Sequence, residues 1–301
     1  MTDQTGSVPV VTVKNLSFRY PGQAGDCLSG IGFSIPAGSV FGLLGPSGAG
    51  KTTTQKILMG LLPKYRGDVA VLGSPARAMG SDVRRRVGVA FENPALYLKF
   101  SGIENLRFFS ALMHGSDSAY RQALEYVRLL DLDRDMDKRV EHYSRGMRVR
   151  MNLCRALVHD PDLIYLDEPT AGLDPILAKR VKDLIVNLKR AGKTIVLTTH
   201  IMSLAEEVCD ELGIIVGGMV PALDTPAALQ MKYGEPFVEV EGSGSTHRFP
   251  LPGLGSNAGF LDLLRRTEVR RIRTLEASME QVFLAVSGTP MRDDQDAYDS
   301  V

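Results

Sequence analysis

The chain of 301 residues has no surplus of charge of either sign, with 35 basic and 35 acidic side chains. Without a positive excess it lacks the long-range field that general nucleic-acid binding requires, so no nucleic-acid partner is expected. Arg84-Arg-Arg86 is a short basic run and reads as a solvated helix face. Cysteine is scarce. Cys27, Cys154 and Cys209 have neither metal-ligand nor redox spacing, which argues against a disulfide framework and for a reducing compartment. The longest apolar stretch, Leu212 to Leu223, is interrupted by Gly217, Gly218 and Pro221 and is too short to span a bilayer. The first residues carry no charged-then-apolar signal segment. Any membrane role is therefore expected to come through a partner.

Glycine, by contrast, is concentrated where it has a use. Ser39 to Leu44 reads as a buried strand and Thr52 to Leu62 as a helix, and between them runs Gly45-Pro46-Ser47-Gly48-Ala49-Gly50-Lys51-Thr52, followed by Thr53. This is the GxxxxGK[ST] pattern of a phosphate-binding loop. Glycines let the backbone curl around a polyphosphate with its N–H groups inward, and the helix N-terminus adds its positive end. In this pattern Lys51 reaches the β- and γ-phosphates and the Thr52 hydroxyl ligates Mg²⁺. The bland alternative, a glycine-rich turn, does not account for the strand before it and the helix after it. The loop by itself says only that a nucleotide binds.

Two further strands end in polar groups. Leu163-Ile-Tyr-Leu-Asp167-Glu168 delivers adjacent carboxylates at a strand C-terminus, where ligands of open α/β sheets bind. Successive strand residues point to opposite faces, so the two acids face different atoms. Lys193 to His200 is a second such strand, placing His200 at the same sheet edge. His114, His142, His159 and His247 read as ordinary structural or surface residues.

Taken with the run Tyr143-Ser144-Arg145-Gly146-Met147, upstream of the two acids, this order of motifs resembles the ATP-binding cassette (ABC) family of ATPases over roughly residues 10 to 235. The resemblance implies an α/β fold: a P-loop NTPase (RecA-like) core with an antiparallel β subdomain, and an inserted α-helical subdomain at about 93–160. It implies ATP and Mg²⁺ as cofactors, with Asp167 on the metal, Glu168 as general base toward the attacking water, and His200 as a γ-phosphate contact holding Glu168 and the water in line. Tyr20, in Phe18-Arg-Tyr-Pro21, matches the aromatic that stacks on adenine. Its segment, Val11 to Tyr20, alternates as an edge strand. Ala171 to Asp174 matches a loop that crosses to a second subunit, with Pro175 opening a helix that Gly192 ends. Ser144 and Gly146, at the head of a helix from Met147 onward, would close over the partner subunit's nucleotide, making ATP the glue of a head-to-tail dimer.

The chain departs from the family pattern at two places. Its signature run is YSRGM where LSGGQ is usual, so Arg145 replaces a glycine and Met147 a glutamine. Val87-Gly-Val-Ala-Phe-Glu92 also ends in a glutamate where the family carries a glutamine. A carboxylate still offers oxygen to Mg²⁺ or its water but loses the amide donor and adds negative charge beside the phosphates.

After Tyr233-Gly234 the pattern changes. Phe237 to Glu241 alternates as a strand, Gly242 to Ser245 reads as a loop, Phe260 to Arg266 as a helix, Val269 to Leu275 as a strand and Ser278 to Val286 as a helix. This small α/β C-terminal appendage, 236–288, is similar to the tail of bacterial drug-exporter ATPases. An acidic tail with Asp293, Asp294, Asp296 and Asp299, at 289–301, is expected to be disordered.

The resulting expectation is the nucleotide-binding subunit of an ABC exporter, peripheral at the cytoplasmic face of the cell membrane. Its partners would be a separate transmembrane permease, gripped by roughly 93–100, and a second copy of itself or a related ATPase subunit. A non-transport ABC ATPase signalling through a membrane protein or acting on another macromolecule is the alternative. A small-molecule P-loop kinase explains neither the Ser144–Gly146 run nor His200. One prediction is specific to this chain: Glu92→Gln shifts the pH or Mg²⁺ dependence of ATPase activity, checked by titrating both against the parent protein.

Overall fold

The computed structural model describes residues 8–233, 237–242, 245–275 and 278–288. The acidic tail from 289 onward lies outside them. The elements in chain order begin with strands β1 (Val11–Phe18), β2 (Leu28–Ile35) and β3 (Val40–Leu44), then helix α1 (Lys51–Leu58) and strands β4 (Arg66–Val71) and β5 (Ser74–Pro75). Next come α2 (Ser81–Arg85), β6 (Val87–Ala90), α3 (Gly102–Leu112), α4 (Asp117–Leu129), α5 (Arg145–Leu157) and β7 (Leu163–Asp167). They are followed by α6 (Pro175–Arg190), β8 (Thr194–Thr199), α7 (Met202–Val208), β9 (Glu211–Val216) and β10 (Met219–Asp224). The chain continues through α8 (Pro226–Tyr233), β11 (Phe237–Gly242), β12 (Thr246–Pro250), α9 (Ala258–Arg266), β13 (Val269–Leu275) and α10 (Met279–Ser287). It divides into two compact units, Met1–Pro221 and Ala222–Val301.

The first unit is built on two sheets. A six-stranded sheet has the order β10-β9-β3-β8-β7-β6, in which β9, β3, β8, β7 and β6 run parallel. Strands buried on both faces read as continuous apolar runs, and β3, β7 and β8 are buried at every residue. The parallel register brings the C-terminal ends of β3, β7 and β8 to one edge, where Leu44 lies opposite Thr199 and Asp167 opposite Thr198. The second sheet, β2-β1-β4-β5, is antiparallel throughout. Here the expectation for Val11 to Tyr20 needs correction: β1 is an interior strand, paired with β2 on one side and β4 on the other. Alternation reports that one face is buried, and an interior antiparallel strand shows the same pattern as an edge one.

Helices α3, α4 and α5 form the stretch between β6 and β7. Their starts are written in the sequence. Ser101 and Glu104 make a reciprocal capping box on α3, and Ser116 caps α4. Ser144 caps α5, whose first turn therefore begins at Arg145, two residues before the expected Met147. Asp174 caps α6 with Pro175 at its first position, and the chain turns away at Gly192 with φ 83°. The expected face of α6 is buried at Val181, Leu184, Ile185 and Leu188. Helix α1 is shorter than expected: it stops at Leu58, and Gly60 (φ 72°) turns the chain before Leu62.

In the second unit β11 is the middle strand of the antiparallel sheet β12-β11-β13. Strand β12 was not anticipated, because Thr-His-Arg-Phe-Pro offers little hydrophobic alternation and its residues are mostly exposed. Cross-strand charge pairing does that work instead. Glu239 of β11 accepts from Arg248 of β12 at 3.0 Å and from Arg273 of β13 at 2.7 Å. These arginines hold the Glu239 carboxyl below its ordinary range. Val238, Val240, Met279, Val282 and Phe283 are the buried apolar residues of this unit's sheet and last helix.

Among the described residues no helix is long and apolar enough to cross a membrane. The packing of α5 against β6 is set by Gly88, where a β-carbon would lie 2.4 Å from the Ala156 carbonyl oxygen and 2.7 Å from Pro161 Cγ. Gly88→Ala is expected to force these elements apart at a cost of about 1–3 kcal/mol, read as a lowered urea midpoint with an unchanged m-value.

Candidate nucleotide site

The loop between β3 and α1 has the shape its composition demands. Gly48 and Gly50 have φ of 79° and 113°. A β-carbon on Gly45 would meet the Ile215 carbonyl oxygen at 2.4 Å, so strand β9 leaves room only for glycine there. Pro46, Ser47 and Ala49 complete the turn, and Ala49 N–H donates to the Pro46 carbonyl at 3.2 Å. Gly50 provides no side-chain cap for α1, which leaves the first N–H groups of the helix to an anion. Lys51 is 8 % exposed and its Nζ donates to the carbonyls of Gly45 (2.6 Å) and Pro46 (3.1 Å), which aims the ammonium into the loop.

Adjacent carboxylates face this loop from the end of β7. Asp167 Oδ2 accepts from the Thr52 hydroxyl at 3.4 Å, and its other oxygen accepts from Thr198 of β8. Burial is the main reason that the Asp167 carboxyl is raised above its ordinary value; Thr198 opposes the shift and the Glu168 charge adds to it. Glu168 takes a left-handed backbone conformation, φ 48°, with its N–H on the Thr198 carbonyl at 3.0 Å. That turn, together with strand alternation, sends the two acids to different neighbours. Glu168 Oε1 lies 2.9 Å from His200 Nδ1 and 3.9 Å from Lys51 Nζ, while Oε2 accepts from the Thr199 hydroxyl at 3.0 Å and the His200 N–H at 3.4 Å.

Lys51, Thr52, Asp167, Glu168 and His200 therefore form one connected cluster. Tyr20 joins its border: the hydroxyl sits 3.1 Å from Thr53 Oγ1 and the ring packs edge-on to Phe18 at 4.8 Å. Four expected site residues lie apart from it within the single chain. Glu92 is exposed just beyond β6. Ser144 accepts from the Met147 N–H of its own helix at 3.2 Å, and Asp174 accepts from the Ile176 and Leu177 N–H groups at 3.0 Å each. Gly146 abuts the loop 171–174, where a β-carbon on it would lie 3.3 Å from Leu173 Cδ2.

Sequence reasoning passed over Thr198 and Thr199, which orient the two acids, and Gln55, whose amide donates to the Leu166 carbonyl at 3.2 Å and ties α1 to β7. The available signal was two hydroxyl residues at the end of an otherwise apolar strand.

A phosphate loop, a strand leading into two acids and a histidine just past the end of the next parallel strand define a P-loop nucleoside triphosphatase. Comparison with known proteins carries this further. Residues 28–171 match the family model described as ABC transporter, and residues 236–276 match that of the fluoroquinolone efflux ABC transporter C-terminal domain. The chain is 43 % identical over 284 residues to a "Fluoroquinolones export ATP-binding protein" of Mycobacterium tuberculosis, covering 93 % of each chain. It is 39 % identical over 240 residues to a "Nod factor export ATP-binding protein I" of Burkholderia orbicola, covering 78 % of each. Among solved structures, an ATP-binding subunit of an ABC transporter superposes with a TM-score of 0.69 at 30 % identity, covering 74 % of this chain and 93 % of that one. A dimeric ATP-binding cassette in a post-hydrolysis state with ADP and Pi gives a TM-score of 0.65 at 25 % identity, over 71 % of this chain and 98 % of the other. The chain belongs to the ABC transporter family, as an ATP-binding subunit with ATPase activity.

Burial makes the ionised form of Asp167 costly to the fold. A carboxyl raised in the fold stabilises it below its unfolded value, near pH 4, and loses that contribution as the pH rises through the folded value. Asp167→Asn is therefore expected to raise the melting temperature of nucleotide-free protein at pH 7, with the difference shrinking toward roughly pH 4, while ATPase activity is lost. Thermal melts across that pH range check it.

Proposed function

We propose that this protein powers an exporter, working as a head-to-tail pair beneath a separate transmembrane permease at the cytoplasmic face of the membrane. Fluoroquinolone-like drugs are the cargo class. The observation that carries the reading is the buried Glu168, held between His200, Thr199 and Lys51 and so aimed into the phosphate loop.

Catalysis then follows from position. The backbone of 45–50 and Lys51 take the β- and γ-phosphates, and Tyr20 stacks on the adenine. Glu168 removes a proton from the attacking water as its oxygen bonds to the γ-phosphorus and the bond to the β–γ bridging oxygen breaks. His200 holds Glu168 and the water in line. Mg²⁺ fits the donor set: the Thr52 hydroxyl and Asp167 carboxylate are hard oxygen ligands already paired with each other, and Glu92, just beyond β6, is read as a further oxygen ligand. When bound it supplies positive charge to the transferring phosphoryl group.

Ser144 and Gly146 of the second subunit complete each site, with the loop ending at Asp174 beside them. The dimeric state of the solved ATP-binding cassette supports this assembly, and the intact half-sites of this chain favour two identical subunits. The export names of the relatives support the direction and the partner, and the match of residues 236–276 supports the cargo class. We read 1–235 as the ATPase domain, 236–288 as a C-terminal appendage and 289–301 as an acidic tail.

Glu168→Gln is expected to lower ATPase turnover by about 10²-fold or more, the contribution of a general base. The variant should accumulate as an ATP-bound dimer, seen by light scattering in ATP and Mg²⁺. A variant that stays monomeric under those conditions overturns the dimer mechanism. Isolation of the tagged chain from gently solubilised membranes should yield a polytopic membrane protein in equal ratio; co-isolation of ribosomes or DNA instead would overturn the exporter reading.

A further inference from the structure

Helix α5 carries four arginines, and three of them are committed to carbonyls of their own chain. Arg148 Nη2 donates to the Glu141 carbonyl at 3.0 Å, Arg150 Nη1 to the Asp131 carbonyl at 3.0 Å and Arg155 Nη2 to the Val89 carbonyl at 2.6 Å. Arg145, the first residue of the helix, differs. It is exposed, and it makes no hydrogen bond or ion pair with any of the described residues. Its place is also unfavourable for a cation, because a helix N-terminus carries partial positive charge and the first turn of α5 holds no acid. Yet the side chain has a defined seat. A β-carbon on Gly172 (φ 71°) would lie 3.4 Å from Arg145 Nε and 3.7 Å from its Cζ, so the guanidinium rests on backbone that a larger residue would deny it. Gly172 belongs to the loop leading from the buried acids, where the Ala171 N–H donates to the Glu168 carbonyl at 3.1 Å.

A seated guanidinium without a counter-charge of its own chain presents a fork of N–H donors suited to phosphate oxygens. It stands between Ser144 and Gly146, the residues read above as facing the partner's nucleotide. We propose that Arg145 is a further phosphate-binding residue of that shared site: its guanidinium donates to the terminal phosphate oxygens of the ATP held by the partner subunit. The proposal rests on the head-to-tail dimer described above. The glycine usual at this position brings only a backbone N–H to such a contact, whereas Arg145 adds a full positive charge. Closure of the dimer thereby depends on charge pairing across the interface, and Gly172 keeps the guanidinium in place for it.

The test uses the full-length Glu168→Gln protein, with its ATP-bound dimer read by light scattering. Adding Arg145→Gln removes the charge from an exposed position and should raise the ATP concentration for half-maximal dimer about tenfold or more, the scale of hydrogen bonds to a charged group. ATP affinity of the single chain, measured with protein dilute enough to stay monomeric, should be unchanged. Arg145→Lys, which keeps the charge, should recover most of the loss. Added NaCl should weaken the dimer of the Glu168→Gln protein more steeply than that of the Arg145→Gln variant; a side chain that only packs on Gly172 would leave the two salt dependences alike. An equal ATP requirement in Arg145→Gln, no recovery in Arg145→Lys, or parallel salt dependences overturns the proposal and leaves the dimer standing. Failure of Glu168→Gln alone to dimerise overturns the dimer, and with it the role given to Arg145.

Discussion

Burying two adjacent carboxylates at the end of one strand is the constraint around which this protein is arranged. Asp167 and Glu168 are each less than a tenth exposed, and unpaired buried charges would shift toward neutrality or unfold their surroundings. Every neighbour named here reduces that cost. Thr198 and Thr199 come from the next strand, Lys51 and Thr52 from the phosphate loop, and His200 from the residue that follows β8. A parallel sheet is suited to this because its strand ends share one edge. The same groups hold the acids beside the phosphate loop, and they offset burial only in part, since the Asp167 carboxyl stays above its ordinary value.

The remainder of the first unit determines how that edge is used. The antiparallel sheet leads to Tyr20, two residues past the end of β1, which meets α1 through Thr53. The helices inserted between β6 and β7 carry Ser144 and Gly146, which are oriented by their own helix rather than by the acids of their own chain. In the proposed dimer each site would be shared between two chains, where nucleotide bound at the interface converts binding energy into association. Asn152 and Arg155 of α5, with His159 beyond it, tie the inserted helices to the backbone of β6 and of Phe91 after it.

Much of this was legible from residue order. The phosphate loop, the paired acids and His200 carry their chemistry in their residue types, and apolar strands before them announced the sheet edge. Caps at Ser101, Ser116, Ser144 and Asp174 mark helix starts through local hydrogen bonding, which sequence records well. The failures were of another kind. An interior β1 looks like an edge strand because alternation reports one buried face and says nothing about the strands on either side. Strand β12 has almost no alternation, since it is held by backbone pairing and by the bond between Arg248 and Glu239. Thr198, Thr199, Gln55 and Asn152 were passed over because each acts on a partner more than thirty residues away.

What the sequence determined by itself was therefore the local chemistry: where phosphate meets backbone N–H groups, which strand ends in acids, and where helices begin and stop. Those properties depend on neighbours within a few residues. Tertiary structure alone decided which oxygen of each acid faces which partner, the left-handed turn at Glu168 that separates the two carboxylates, and the match of α5 side chains to the carbonyls of β6. These depend on distances between segments remote in the chain, which are fixed only when the parallel sheet aligns its strand ends and the helix packs along its open edge.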